Sequence, residues 1–186
     1  MAKTKATPAD VDAIAAGLPG TELGISWGDR PTRKVGGKGF LLYHAPHKTA
    51  IDPESGELYT DLLVVHTPDM EAKAALLGSG GSFFDIDHFR TYAAVLVQLS
   101  RLGEFDRDDL VEVITDAWAA KAPKRLVAQH FGEPVDPFED LAARARRALA
   151  GAGIRTLAQL RERTDEELLA LHGVGAKALQ QAHALD

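Results

Sequence analysis

Apolar and polar positions change rhythm several times along the chain, and each change marks an element. Thr7-Pro8-Ala9-Asp10 supplies an N-cap, a proline at the first helical position and an acid in the first turn. Val11, Ile14, Ala15 and Leu18 follow at helical spacing, which predicts a first helix. From Ile25 to Tyr43 the period shortens. Trp27, Val35, Phe40 and Leu42 lie among glycines at 28, 36, 37 and 39, the pattern of short strands around a tight VGGKGF hairpin. Leu62 to His66 predicts another strand, and Thr67-Pro68 opens a helix that runs to Leu77 and ends at glycines 78, 80 and 81. YAAVLVQLS, residues 92–100, is short, apolar and β-branched, so it reads as a buried strand. From Asp106 to Lys121 helical spacing returns, with Leu110, Val113, Ile114, Ala117 and Trp118 on one face, which makes Trp118 a core residue.

Phe131-Gly132-Glu133-Pro134-Val135-Asp136-Pro137 breaks both rhythms with two prolines and two acids. It predicts a linker over residues 131–137 between a domain at 1–130 and a second at 138–186. The first is α+β. The second turns to alanine, leucine and arginine with no strand pattern, so it is expected to be all-helical.

That second part contains a repeat. ALAGAGIRTLAQL (148–160) and ALHGVGAKALQQA (170–182) align at a displacement that pairs Gly151 with Gly173, Gly153 with Gly175, Arg155 with Lys177 and Gln159 with Gln181. Each copy is expected to be a helix end, a G-x-G turn and a new helix start. Glycine permits positive φ and a close backbone approach there. The free N–H groups and the positive dipole end of the next helix would form an anion site. A cation in that first turn, Lys177 or Arg155, is opposed by the dipole by about 0.3–1 kcal/mol, a penalty that a bound phosphate reverses. The alternative is that the glycines serve packing alone and the cations are solvated.

Bulk properties narrow the function classes. The 186 residues are 45% hydrophobic and 26% charged, contain no cysteine and carry a net charge of -6. Disulfides, thiolate catalysis and cysteine-ligated zinc are excluded. The acidic balance argues against a broad basic coat on nucleic acid, so any DNA contact is local. MAKTKATPAD lacks the apolar stretch of a secretory signal, and no apolar run is long enough to span a bilayer, so a cytoplasmic protein without membrane contact is expected.

Residues 21–130 resemble the MmcQ/YjbR family of small bacterial proteins. The resemblance rests on ISWGDRPTRKVGGKGF, on FFDIDHFRTYAAVLVQL and on DLVEVITDAWAAKAPKRLVAQ. It implies a twisted antiparallel sheet with flanking helices and carries a DNA-binding label without an agreed site. Asp140 to Leu185 resembles the helix-hairpin-helix C-terminal domain of the bacterial RNA polymerase alpha subunit, through AGIRTLAQL and TDEELLALHGVG and the lysine and leucine after them. By position that resemblance implicates Arg144, Arg147, Gly173, Gly175 and Lys177 in DNA contact, and the repeat adds Gly151, Gly153 and Arg155. The chain departs from the family where polar residues stand at the positions of Gly173 and Ala178, which thins the hydrogen-bonding set. The helix predicted over Asp140–Ala150 places Leu141, Ala145, Ala148 and Leu149 on its apolar stripe and Arg144 and Arg147 on another face. With Arg144, Arg147, Arg155 and Lys177 engaged, about four phosphates are neutralised and the log-log salt slope is near -3.6.

In the first domain, Arg30, Arg33, Lys34 and Lys38 around the hairpin, and Lys121, Lys124 and Arg125 near its end, form a phosphate surface if they share a side, with Trp27 or Phe40 as stacking partners. Otherwise they are solvated faces. His44-x-x-His47 with Asp52 is a loose match to metal ligands, Asp85 and Asp87 in FFDIDHF alternate as strand neighbours, and VGGKGF lacks the context of a phosphate-binding P-loop. No active site, metal or cofactor is expected. The reading is a non-enzymatic, nucleic-acid-associated protein that binds DNA backbone, the alternatives being another protein docked on the C-terminal helices or a small molecule held in the first domain.

Overall fold

The computed structural model describes residues 4–26, 28–44, 48, 50–53, 55–79, 81–132 and 136–185. The chain divides into two compact units, residues 1–127 and 128–186. Trp27, His47, Gly80 and the centre of the expected linker, 133–135, lie outside the described residues.

The first unit opens with helix α1 (Pro8–Gly17), where Thr7 and Asp10 cap each other reciprocally and Pro8 occupies the first turn. Strands β1 (Thr21–Ser26), β2 (Arg30–Val35) and β3 (Lys38–His44) follow, then β4 (Leu62–His66), helix α2 (Met70–Gly78), strand β5 (Ala94–Gln98) and helix α3 (Arg107–Ala119), and helix α4 (Lys124–Phe131) runs across the boundary at residue 127. The strands form one antiparallel sheet in the order β1-β2-β3-β4-β5, and the fold class is α+β. The β2–β3 turn has Gly36 and Gly37 both at positive φ, 55° and 75°, the backbone a two-residue hairpin needs to match the strand twist. α2 starts at Met70 rather than at Thr67-Pro68, because the Asp69 side chain takes the Ala72 N–H and fixes the cap there.

One face of the sheet, through Val35, Leu41, Leu63, Val65, Val95 and Val97, packs on Val11 and Ala15 of α1 and on Leu110, Ile114 and Trp118 of α3. Trp118 is fully buried and donates its indole N–H to the Pro19 carbonyl at 3.1 Å. The other face, through Leu42, Leu62, Val64, Ala94 and Leu96, is covered by irregular chain bearing Ala50 and Phe89. Burial on both faces is why LLVVH and AVLVQ are nearly continuous apolar runs rather than alternating ones. FFDIDHF is not a strand: Phe84 bridges to Leu96, and Asp87–Phe89 form a 3-10 turn.

The second unit holds α5 (Ala143–Gly151), α6 (Leu157–Arg161), α7 (Asp165–Ala170) and α8 (Ala176–His183). They enclose a core of Phe138, Leu141, Ala145, Leu149, Ile154, Leu160, Leu168, Val174, Leu179 and Ala182. α5 begins three residues later than the spacing predicts, because residues 137–140 form turns in which Asp136 takes the Phe138 N–H at 2.9 Å. Leu141 still joins the apolar stripe from just outside the helix. Among the described residues, no helix is long and apolar enough to cross a membrane.

Candidate nucleic-acid interface

The hairpin cations of the first unit do not converge. Arg33 stands opposite Leu41 on the helix-covered face and gives two hydrogen bonds to Asp12 of α1, at 2.7 and 3.0 Å. Its neighbour Lys34 points to the other side, because side chains alternate along a strand, and its ammonium donates to the Ile25 carbonyl at 2.7 Å. Its stem lies across Gly24, where an added Cβ would meet Lys34 Cδ at 3.2 Å. Lys38 is exposed at the start of β3. Arg30 lines a cleft of about 310 Å³ with Tyr43, His44 and Asp61. Phe40 is fully buried and offers no stacking face, a correction to its expected role. Lys121 serves His66: burial first, and the Lys121 charge second, hold that imidazole down to about 4.

Two features of this unit lie outside the sequence reading. Lys73 of α2 is 3% exposed, and its ammonium donates to the carbonyls of Phe89 (2.7 Å) and Tyr92 (3.0 Å) while pairing with Asp85 at 2.8 Å. Asp85 therefore meets a lysine rather than Asp87. Nothing in the helical spacing distinguishes Lys73 from a solvated lysine. Tyr43 is the second, its hydroxyl pKa pushed up by burial and by the Asp12 carboxylate. His44 packs edge-on against Phe89, 5.7 Å between ring centres. Among the described residues no group of three His, Cys, Asp or Glu side chains could hold a metal.

In the second unit the two G-x-G turns are not equivalent, contrary to the expectation of matched copies. In the first, positive φ falls on Gly153 (78°), and α6 does not start until Leu157. Thr156 is its N-cap, with the Gln159 N–H on Thr156 Oγ1 at 3.2 Å. Gln159 Oε1 in return accepts the N–H groups of Arg155 (2.8 Å) and Thr156 (3.2 Å). This capping box already fills the place an anion would take. Arg155 stands before the cap, not in the first turn, so the dipole argument does not apply to it.

In the second turn positive φ falls on Gly173 (122°), and α8 starts at Ala176, directly after Gly175. Gly175 is the N-cap, with ordinary extended φ of -104° and no side chain to cap the first-turn N–H groups. Lys177 is in that open first turn and exposed. Arg144 of α5 is drawn against the same turn: an added Cβ on Gly173 would meet Arg144 Cγ at 2.9 Å and its carbonyl oxygen at 3.0 Å. Arg144 Nη2 lies 2.8 Å from His172 Nε2, and because a guanidinium can only donate, the imidazole nitrogen accepts. The second turn thus gathers Arg144, His172, Gly173, Gly175 and Lys177. His172 is absent from the sequence reading, although its place beside the turn glycine could have marked it. Arg147 and Arg155 line adjoining clefts that meet at Asp136, Arg146 and Ala150, and Gly151 ends α5 with open space around it.

A model of the YjbR family matches residues 16–120, the span from the end of α1 through α3. The chain belongs to the YjbR family. Uncharacterized proteins of Mycobacterium bovis and of two strains of Mycobacterium tuberculosis are each 36% identical to it over 135 residues. Those matches cover 66% of this YjbR chain and 93% of each relative. No solved structure matches significantly.

Proposed function

We propose that this YjbR-family protein is a non-enzymatic, nucleic-acid-associated protein whose C-terminal helical unit holds the DNA backbone weakly and with little regard to base sequence. The observation that carries the reading is the junction at the second turn, where Arg144 lies against Gly173 beside the uncapped start of α8 and Lys177. Lys177 is placed against the helix dipole, and a phosphate on the free N–H groups turns that unfavourable placement into a favourable one. α6 is capped by its own Thr156 and Gln159, so one turn receives phosphate rather than two. With Arg144 and Lys177 engaged, about two phosphates are neutralised, and the log-log salt slope falls near -1.8. The net charge of -6 keeps the contact local.

The test is fluorescence anisotropy of a labelled duplex at two salt concentrations, with the wild type and with the Arg144→Glu, Lys177→Glu double variant. Salt-sensitive binding that disappears in the double variant is expected. Binding that ignores salt, or that survives both substitutions, sinks the reading.

A further inference from the structure

We infer that the C-terminal unit carries a phosphate-binding groove made by Arg146, Arg147 and Arg155, distinct from the second turn. Two clefts of about 380 and 400 Å³ adjoin along α5 and share Asp136, Arg146 and Ala150. Arg155 lines the first and Arg147 the second. Three guanidinium groups therefore border a continuous depression that contains one carboxylate.

That carboxylate pairs with only one of them, and loosely. Asp136 Oδ2 stands 3.8 Å from Arg146 Nη1, too long for a hydrogen bond, and Oδ1 is taken by the Phe138 N–H. Arg146 Nε is buried and has no acceptor. Only that N–H is shut off from solvent, since the Arg146 side chain as a whole is 41% exposed, so the head of the guanidinium faces the depression while one of its donors goes unmet. The side chains of Arg147 and Arg155 have no hydrogen-bond or ion-pair partner among the described residues, and the Arg155 backbone N–H alone is engaged, with Gln159. An anion with several acceptor oxygens in the depression satisfies Arg146 Nε and bridges the three forks. Guanidinium suits phosphate, since parallel N–H donors match pairs of phosphate oxygens. A free phosphate monoester and a backbone phosphodiester share that chemistry.

The groove stands independently of the duplex-binding reading. The experiment follows arginine Nε–H resonances of the full chain by NMR, with Arg146→Lys used only to assign the Arg146 signal. Inorganic phosphate is titrated against sodium chloride of matched ionic strength, followed by a short single strand with and without a 5′-phosphate. A saturable Arg146 shift with phosphate and not with chloride is expected, and Arg155→Gln weakens it about tenfold. A response that requires the 5′-phosphate assigns the groove to monoesters; an equal response without it assigns the groove to backbone diesters. Either supports the inference. The absence of a saturable shift with all three probes overturns it, as does an unchanged shift in a folded Arg147→Gln, Arg155→Gln variant. Lys177→Glu separates the two proposals: it abolishes duplex binding at the second turn while leaving the Arg146 shift intact, and loss of that shift in Lys177→Glu overturns the claim of a separate groove.

Discussion

Gly173 lies so close to Arg144 that a Cβ on the glycine would stand 3.0 Å from the Arg144 carbonyl oxygen, a backbone atom that cannot swing aside. Its φ of 122° adds strain for any other residue. Gly173→Ala is therefore expected to destabilise the helical unit by roughly 2 kcal/mol and to weaken duplex binding by pushing α5 off the turn. Gly175→Ala, at extended φ with open space, is expected to leave stability nearly unchanged. Hydrogen exchange of the amides in α5 and α8 measures both. Equal protection in the two variants contradicts the close-approach account.

Gly175 tests the anion site from the opposite direction. An aspartate there supplies the missing side-chain cap and an acid at the positive end of the dipole, so Gly175→Asp is expected to stabilise α8 by about 0.5 kcal/mol. The same carboxylate occupies the place proposed for phosphate, so duplex affinity should fall while stability rises. Thermal unfolding and anisotropy of one protein preparation read the two effects. A variant that is more stable and binds DNA as well as the wild type shows that phosphate does not sit on that helix start.

How far these features were legible differs from residue to residue. The repeat correctly located two glycine turns, yet α8 begins at the repeat position of Ile154, three residues earlier than α6 does. The cause is Thr156, whose counterpart is Ala178: threonine with Gln159 builds a capping box, and alanine cannot. Thr-x-x-Gln is a capping-box signature that distinguishes the first copy from the second despite their matching glycines. The separation of Arg33 from Lys34 was equally readable, since neighbours on a strand face opposite ways. The strands and α3 followed from apolar spacing because burial alone decides them. Lys73 was not legible, because its partners Phe89, Tyr92 and Asp85 are brought to it only by the tertiary fold.

Lys73 has a large expected cost of removal. Its ammonium ties α2 to the turn at Asp87–Phe89 and neutralises Asp85, whose side chain is 22% exposed. Lys73→Met fills similar volume but leaves Asp85 without its charge partner and the Phe89 and Tyr92 carbonyls without this donor, so the first unit is expected to lose roughly 3 kcal/mol. Lys73→Met with Asp85→Asn removes the stranded charge and should recover part of that loss. Chemical denaturation followed by Trp118 fluorescence reads the first unit, and equal stability of the three proteins rules out the buried pair as a stabilising element.

His66 gives the first unit a defined response to acid. At the end of β4 its imidazole is held down to about 4, against an ordinary value of 6.5, first by burial and then by Lys121, while its bond with the Ala93 backbone acts the other way. Between these two values the unfolded chain binds a proton that the folded chain does not, so stability falls as the pH drops from 6.5 toward 4 and this group adds no further loss below that. Above 6.5 its contribution is complete. Lys121→Ala removes the smaller cause, so the His66 midpoint should rise yet remain below 6.5, because burial persists. An NMR pH titration of the His66 ring proton tests both statements. A wild-type midpoint at or above 6.5 shows that solvent reaches the ring, and an unmoved midpoint in Lys121→Ala shows that the lysine charge does not.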